Sequence, residues 1–177
     1  MLKNMFTKPE NYKMYWKELM HQCVEIGVGA LPIVIIISLF LGAVTTVQTA
    51  YQLVSPLVPL STIAMIVRDS MILELSPTVL SIVLAGVVGS KIASELGNMQ
   101  VTEQIDALEI MGINTKTYLI LPKIIAALLV IPCLVGLSAV LGIWGGRFAG
   151  AMSGVISNEI FDTGLRRTFS SYNVFFA

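Results

Sequence analysis

The chain has 177 residues, 55% of them hydrophobic and only 12% charged, with eleven basic and eleven acidic side chains. Ordinary globular proteins carry roughly 25% charged residues, and the mean hydropathy of +0.82 excludes a soluble fold of this length. A net charge of zero removes the electrostatic basis for binding nucleic acid. Apolar stretches long enough to cross a bilayer satisfy their backbone internally as helices, so the fold class is all-α integral membrane.

In chain order, residues 8–25 come first. Tyr12, Tyr15, Trp16, Leu19, Met20 and Cys23 share one helical face, while Lys13, Lys17, Glu18 and Gln22 lie elsewhere. An amphipathic stripe with aromatic rings fits a helix lying in the membrane interface; a soluble helix packed on a neighbour is the alternative. The first 25 residues lack an apolar core with a small-residue cleavage site, so a secretory signal is not expected.

No Asp, Glu, Lys or Arg occurs between Glu25 and Arg68, between Glu74 and Lys91, or between Lys123 and Arg147. A spanning helix needs about 20 apolar residues. The first gap holds span 1, over 26–51. What remains of it is too short to cross, and Pro56 and Pro59 disfavour helix at its start, so 56–74 reads as re-entrant or interfacial. Span 2 covers 77–97, a polar helix 98–114, and span 3 covers 118–150, long enough to tilt or kink at Pro132. Residues 157–177 form an outer connection and the start of a further helix.

Lys and Arg in short loops set orientation. Lys3, Lys8, Lys13 and Lys17 precede span 1, and Lys91, Lys116 and Lys123 lie beside the connection between spans 2 and 3. These place the N-terminus and the 98–117 connection in the cytoplasm, with Arg147, Arg166 and Arg167 running against the rule.

Two stripes of small residues recur every four positions: Ala85, Gly89, Ala93 and Gly97, then Gly142, Gly146, Gly150 and Gly154. Such stripes let membrane helices approach closely. Packing inside one subunit, a subunit interface and a face that slides during transport are the three readings.

The 98–114 helix has Val101, Ile105 and Leu108 on one face and Glu103, Asp106 and Glu109 on the other, with Gly112 and Asn114 as a stop. It reads as a docking element for a soluble partner or as a solvated loop helix. The run from Glu95 to Gly112, followed by Tyr118-Leu-Ile-Leu-Pro-Lys-Ile and by Gly142-Ile-Trp-Gly-Gly146, closely resembles the MlaE family, permease subunits of ABC-type lipid transporters that work with MCE-domain proteins. The resemblance covers essentially the whole chain. It implies that the 98–114 helix inserts into a cleft on an ABC ATPase subunit, with Glu103, Gln104, Asp106, Ala107, Leu108, Glu109 and Met111 as contacts. The chain has no Gly-x-x-x-x-Gly-Lys-Ser/Thr loop, so ATP is expected on the separate subunit, with no cofactor in this chain.

Ionisable groups at membrane depth tend to face a cavity or a partner. Gln48, Tyr51 and Glu74 are read as bordering the outward end of a lipid cavity; the alternative has Arg68, Asp69 and Glu74 merely snorkelling. Glu74-Leu-Ser-Pro77 resembles the family's Glu-Leu-Gly-Pro element, but Leu73 and Val87 stand where members commonly carry Arg. His21 is the only histidine, so no metal site is expected; Cys23 and Cys133 sit in apolar settings and make no disulfide framework. No arrangement for nucleophilic or acid–base catalysis appears, so enzyme activity is not expected.

The resemblance implies a permease moving phospholipid or a related lipid between the inner membrane of a Gram-negative-type bacterium and a periplasmic MCE-domain partner, as a homodimer serving two ATPases. A sterol or hydrocarbon permease and a non-transporting scaffold are the rival readings. Members usually continue through roughly two further membrane helices, so the chain is expected to lack that C-terminal part, ending as an apolar run begins at Val174.

Overall fold

Uninterrupted apolar sequence folds as helices in a bilayer because no water is present to satisfy a broken backbone. The computed structural model describes residues 12–53, 59–112, 115–154 and 156–166. Helix α1 runs Tyr12–Gln52. Helix α2 (Ser61–Ser70) passes through a π turn at Met71–Leu75 into α3 (Ser76–Val101). Helix α4 (Gln104–Ile110) is short; a second π turn at Lys116–Ile120 leads into α5 (Leu121–Met152), and α6 is Asn158–Arg166. No strand occurs among the described residues. Three helical runs, Tyr15–Gln52, Ser61–Val101 and Tyr118–Met152, are long and apolar enough to cross a membrane. The protein is an all-α, multi-pass membrane protein.

The helices divide differently from the sequence-based segments. Residues 8–25 and 26–51 suggested two elements, yet Tyr12 to Gln52 is one helix; nothing between Glu25 and Ile26 breaks it, and residues 8–11 lie outside the described part. Its inward face there is Leu19, Gln22 and Ile26, with Gln22 donating from Nε2 to Glu18 Oε1 at 3.1 Å. Of the 56–74 segment, residues 56–58, with Pro56, lie outside the described part, and from Ser61 helix continues through both π turn and α3.

Both π turns precede a proline, whereas Pro32 and Pro132 lie within α1 and α5 without one. A proline ring clashes with the carbonyl four residues earlier and donates no hydrogen bond. For Pro77 that carbonyl belongs to Leu73, and for Pro122 to Tyr118, each inside a π turn that ends two residues before the proline. Widening the helix by one residue lets it pass the proline without ending.

The chain forms two compact units, one from residues 1–31 and 83–133, the other from 32–82 and 134–177. In the first, Ile26, Val88 and Ala126 form a buried cluster joined by Cys23, Ile92, Ala127 and Val130. In the second, Ala50, Ile63, Ala64, Val67, Met71, Ile156 and Phe161 form the core.

Small residues set the second unit's packing. Cβ atoms built on Gly142, Gly145 and Gly146 would overlap Met71, the Leu39 carbonyl and the Thr46 hydroxyl respectively, so α1 and α5 touch backbone to backbone. The buried Ser76 hydroxyl donates to the Val135 carbonyl at 3.0 Å and closely contacts Ser138, pinning the start of α3 to α5. Helix α6 lays Phe161 and Gly164 on α2, where a Cβ on Gly164 would overlap the Ser61 carbonyl. Arg68, 3% exposed, pairs with Asp69 at 2.9 Å and donates from Nη1 to the Leu165 carbonyl at 2.8 Å. It therefore holds the last turn of α6, where a cation also complements the helix dipole.

Candidate functional site

Helix α3 ends at Val101, and the chain reverses through Thr102 and Glu103 into α4. The Thr102 hydroxyl donates to the Asn98 carbonyl at 2.8 Å, closing the end of α3. Glu103 stands at φ 57° and ψ 15°, a left-handed conformation rare for a residue with a side chain. On the far side Gly112 takes φ 76°, its N–H donating to the Glu109 carbonyl at 2.9 Å. The Thr115 hydroxyl donates to Glu109 Oε1 at 3.2 Å, tying the end of α4 to the segment that re-enters α5.

Helix α4 buries none of its residues. Ile105 and Leu108 are half-buried on its inner side, while Glu103, Gln104, Asp106, Ala107, Glu109 and Met111 are exposed. Val101 at the end of α3, Ile110 on α4 and Met111 just after it are 82%, 87% and 65% exposed. Val101 departs from the face expected for it because it ends α3 rather than belonging to α4. The seven residues singled out as ATPase contacts thus lie on one short loop, six of them exposed and Leu108 turned partly inward.

Beside this loop the first unit carries charges that the sequence pattern had not marked as a site. Lys123, buried on α5, lies 2.5 Å from Glu95 on α3, close but not aligned as a hydrogen bond. Lys91, one turn before Glu95, lies 3.2 Å from Glu25 Oε1 on α1 and donates to the Glu25 carbonyl at 3.1 Å. His21 Nε2 stands 3.8 Å from the same Glu25 carboxylate. The available signal was the i,i+4 spacing of Lys91 and Glu95 beside an apolar run, with Lys123 following Pro122; lysines read only as orientation markers hide it.

The second unit holds the other candidates. Gln48 and Tyr51 on α1 and Glu74 in the first π turn are exposed, Tyr51 by 73%, and no hydrogen bond or ion pair joins them to one another among the described residues. Arg68, by contrast, is committed to Asp69 and Leu165 rather than open to a ligand's charge. Leu73 is exposed and Val87 half-buried.

The two small-residue stripes behave differently. Gly142, Gly146 and Gly150 are buried, packed by α1, Met71 and Ile156, while Gly154 is exposed at φ 68°. Ala85, Gly89, Ala93 and Gly97 lie on an exposed face of α3, and a Cβ on Gly89 or Gly97 would meet nothing within 4 Å.

Residues 19–177 match the family described as permease MlaE. The chain belongs to the MlaE permease family. It is 39% identical over 137 residues to a probable ABC transporter permease protein of Rickettsia bellii, covering 77% of this chain and 52% of that protein. The probable ABC transporter permease protein slr1045 of Synechocystis is 33% identical over 159 residues, covering 90% of this chain and 60% of the relative. The intermembrane phospholipid transport system permease protein MlaE of Haemophilus influenzae is 30% identical over 171 residues, covering 96% and 65%. This MlaE-family chain therefore spans about half the length of the Rickettsia relatives it matches.

Proposed function

We propose that this chain is the membrane permease subunit of an ABC transporter that moves phospholipid or a related lipid between the inner membrane and a periplasmic MCE-domain partner. The observation that carries the reading is the exposed α4, with Ile110 and Met111 uncovered and both ends tied to spanning helices. An exposed projection of this kind, joined at both ends to spanning helices, fits a cleft on a soluble subunit. Lipid as cargo is supported by the phospholipid transport named for the Haemophilus relative.

In this reading two copies of the chain serve two separate ATPase subunits, which bind and hydrolyse ATP. Closure of the ATPases displaces α4, and the attached helices follow. The N-terminus and α4 face the cytoplasm of a Gram-negative-type cell. Gln48, Tyr51 and Glu74 border the outward end of the lipid path, where hydroxyl, amide and carboxylate groups meet a headgroup and the acyl chains lie on Leu, Ile and Val side chains.

The test is charge reversal at Glu103 and Asp106. The double variant is expected to insert into the membrane as wild type does while losing most of the co-purifying ATPase. Unchanged co-purification contradicts docking through α4.

A further inference from the structure

Two rungs of opposite charge cross the first unit. Lys91 and Glu95 stand one helical turn apart on α3. Lys91 reaches α1, 3.2 Å from the Glu25 carboxylate and within hydrogen-bond distance of the Glu25 carbonyl. Glu95 reaches α5, where Lys123 is buried with its side chain 3% exposed. Helix α3 is therefore ion-paired to α1 through its basic residue and to α5 through its acidic one.

Gly29 lies beside the ammonium, where a Cβ would stand 3.2 Å from Lys91 Nζ, the movable end of that side chain. The same helices also share apolar contacts among Ile26, Val88 and Ala126. Those contacts are non-directional and permit sliding along the helix axes. Ion pairs at about 3 Å do not, because a shift of one turn, about 5.4 Å, separates the partners. Charges in an apolar setting destabilise unless paired, and apolar residues of similar volume hold helices together without that penalty. What the charges add is register.

Helix α4 is joined through the backbone to α3 and α5 but not to α1. We infer that Glu25, Lys91, Glu95 and Lys123 are positioning residues of the transport cycle, a two-rung ionic ladder that locks α1 and α5 to α3 in axial register so that displacement of α4 moves all three. This rests on the coupling role proposed for α4. The ladder's residues determine how much of each ATPase stroke reaches the spans.

The experiment uses the transporter carrying this chain, with its ATPase, in phosphatidylethanolamine–phosphatidylglycerol vesicles, and measures both ATP hydrolysed and fluorescent phosphatidylethanolamine transferred. Glu95→Lys and Lys123→Glu, each alone, are expected to lower lipid moved per ATP by about fivefold or more, the low end of coupling between distant sites, with the ATPase still bound. Combining the two substitutions restores the ratio. An unchanged ratio in the single variants overturns the inference, and so does a loss that the exchanged pair fails to restore. If the single variants do not accumulate, Glu25→Gln and Lys91→Gln report on the more exposed rung: the same fall in ratio supports the ladder, and a wild-type ratio overturns it. If no ATPase accompanies the wild-type chain, the α4 reading itself fails before any substitution is made, and the ladder falls with it.

Discussion

Gly42 and Gly142 bring α1 and α5 so close that a Cβ built on Gly42 would overlap the Gly142 carbonyl oxygen. The obstacle is backbone, which has no rotamer to escape into. Gly42→Ala is therefore expected to destabilise the chain by about 1–3 kcal/mol, the usual penalty for overpacking. Gly89→Ala, where a Cβ meets nothing within 4 Å, is expected to leave stability unchanged or slightly raised. Thermal unfolding of both variants in detergent checks the pair; equal losses would contradict the packing described.

The contrast shows where sequence reading reaches its limit. Both small-residue stripes have the same four-residue spacing, so periodicity finds them equally, but only contact with α1 and Met71 sets the Gly142 stripe apart. The three apolar runs and the polar loop before Pro122 were legible because length and charge gaps report on the bilayer directly. Whether Glu25 divides two helices was not, since a charge bounds an apolar run without interrupting the helix, glutamate being a good helix former. Nor was the left-handed turn at Glu103 legible: its residue type gives no sign of positive φ.

Arg68 fastens α6 to α2 through the Leu165 carbonyl. Arg68→Leu removes a buried charged donor and leaves Asp69 without its guanidinium neighbour, an expected loss of about 3 kcal/mol. Hydrogen exchange is expected to quicken across Asn158–Arg166 and to change little in α4. Uniform quickening over the whole chain would indicate a global role instead.

The backbone at Glu103 separates conformation from contact. A left-handed residue with a side chain is less favourable by roughly 1–2 kcal/mol, partly offset by the greater entropy glycine loses on folding. Glu103→Gly should therefore slow amide exchange across Gln104–Ile110, with stability raised by up to about 1 kcal/mol. Its retention of ATPase should nevertheless fall, because the carboxylate is removed. Full retention would assign Glu103 a turn-forming role alone.

Gln48, Tyr51 and Glu74 are exposed without partners among the described residues. Native mass spectrometry of the purified complex counts bound lipid directly. Replacing Tyr51 by Ala and Glu74 by Leu is expected to lower phospholipid occupancy. Equal occupancy in wild type and variant would mean these side chains sit at the interface without holding cargo.

The central claim is that α4 converts ATPase motion into lipid movement. Ile110 on α4 and Met111 just beyond it are exposed apolar side chains, so Ile110→Asp with Met111→Asp alters the docking surface without touching the membrane helices. Transfer of fluorescent phospholipid by the reconstituted transporter, with and without ATP, is the most direct measurement. The account predicts ATP-dependent transfer for the wild-type chain and its loss in the double variant despite normal insertion. ATP-dependent transfer that persists undiminished in the double variant would contradict it.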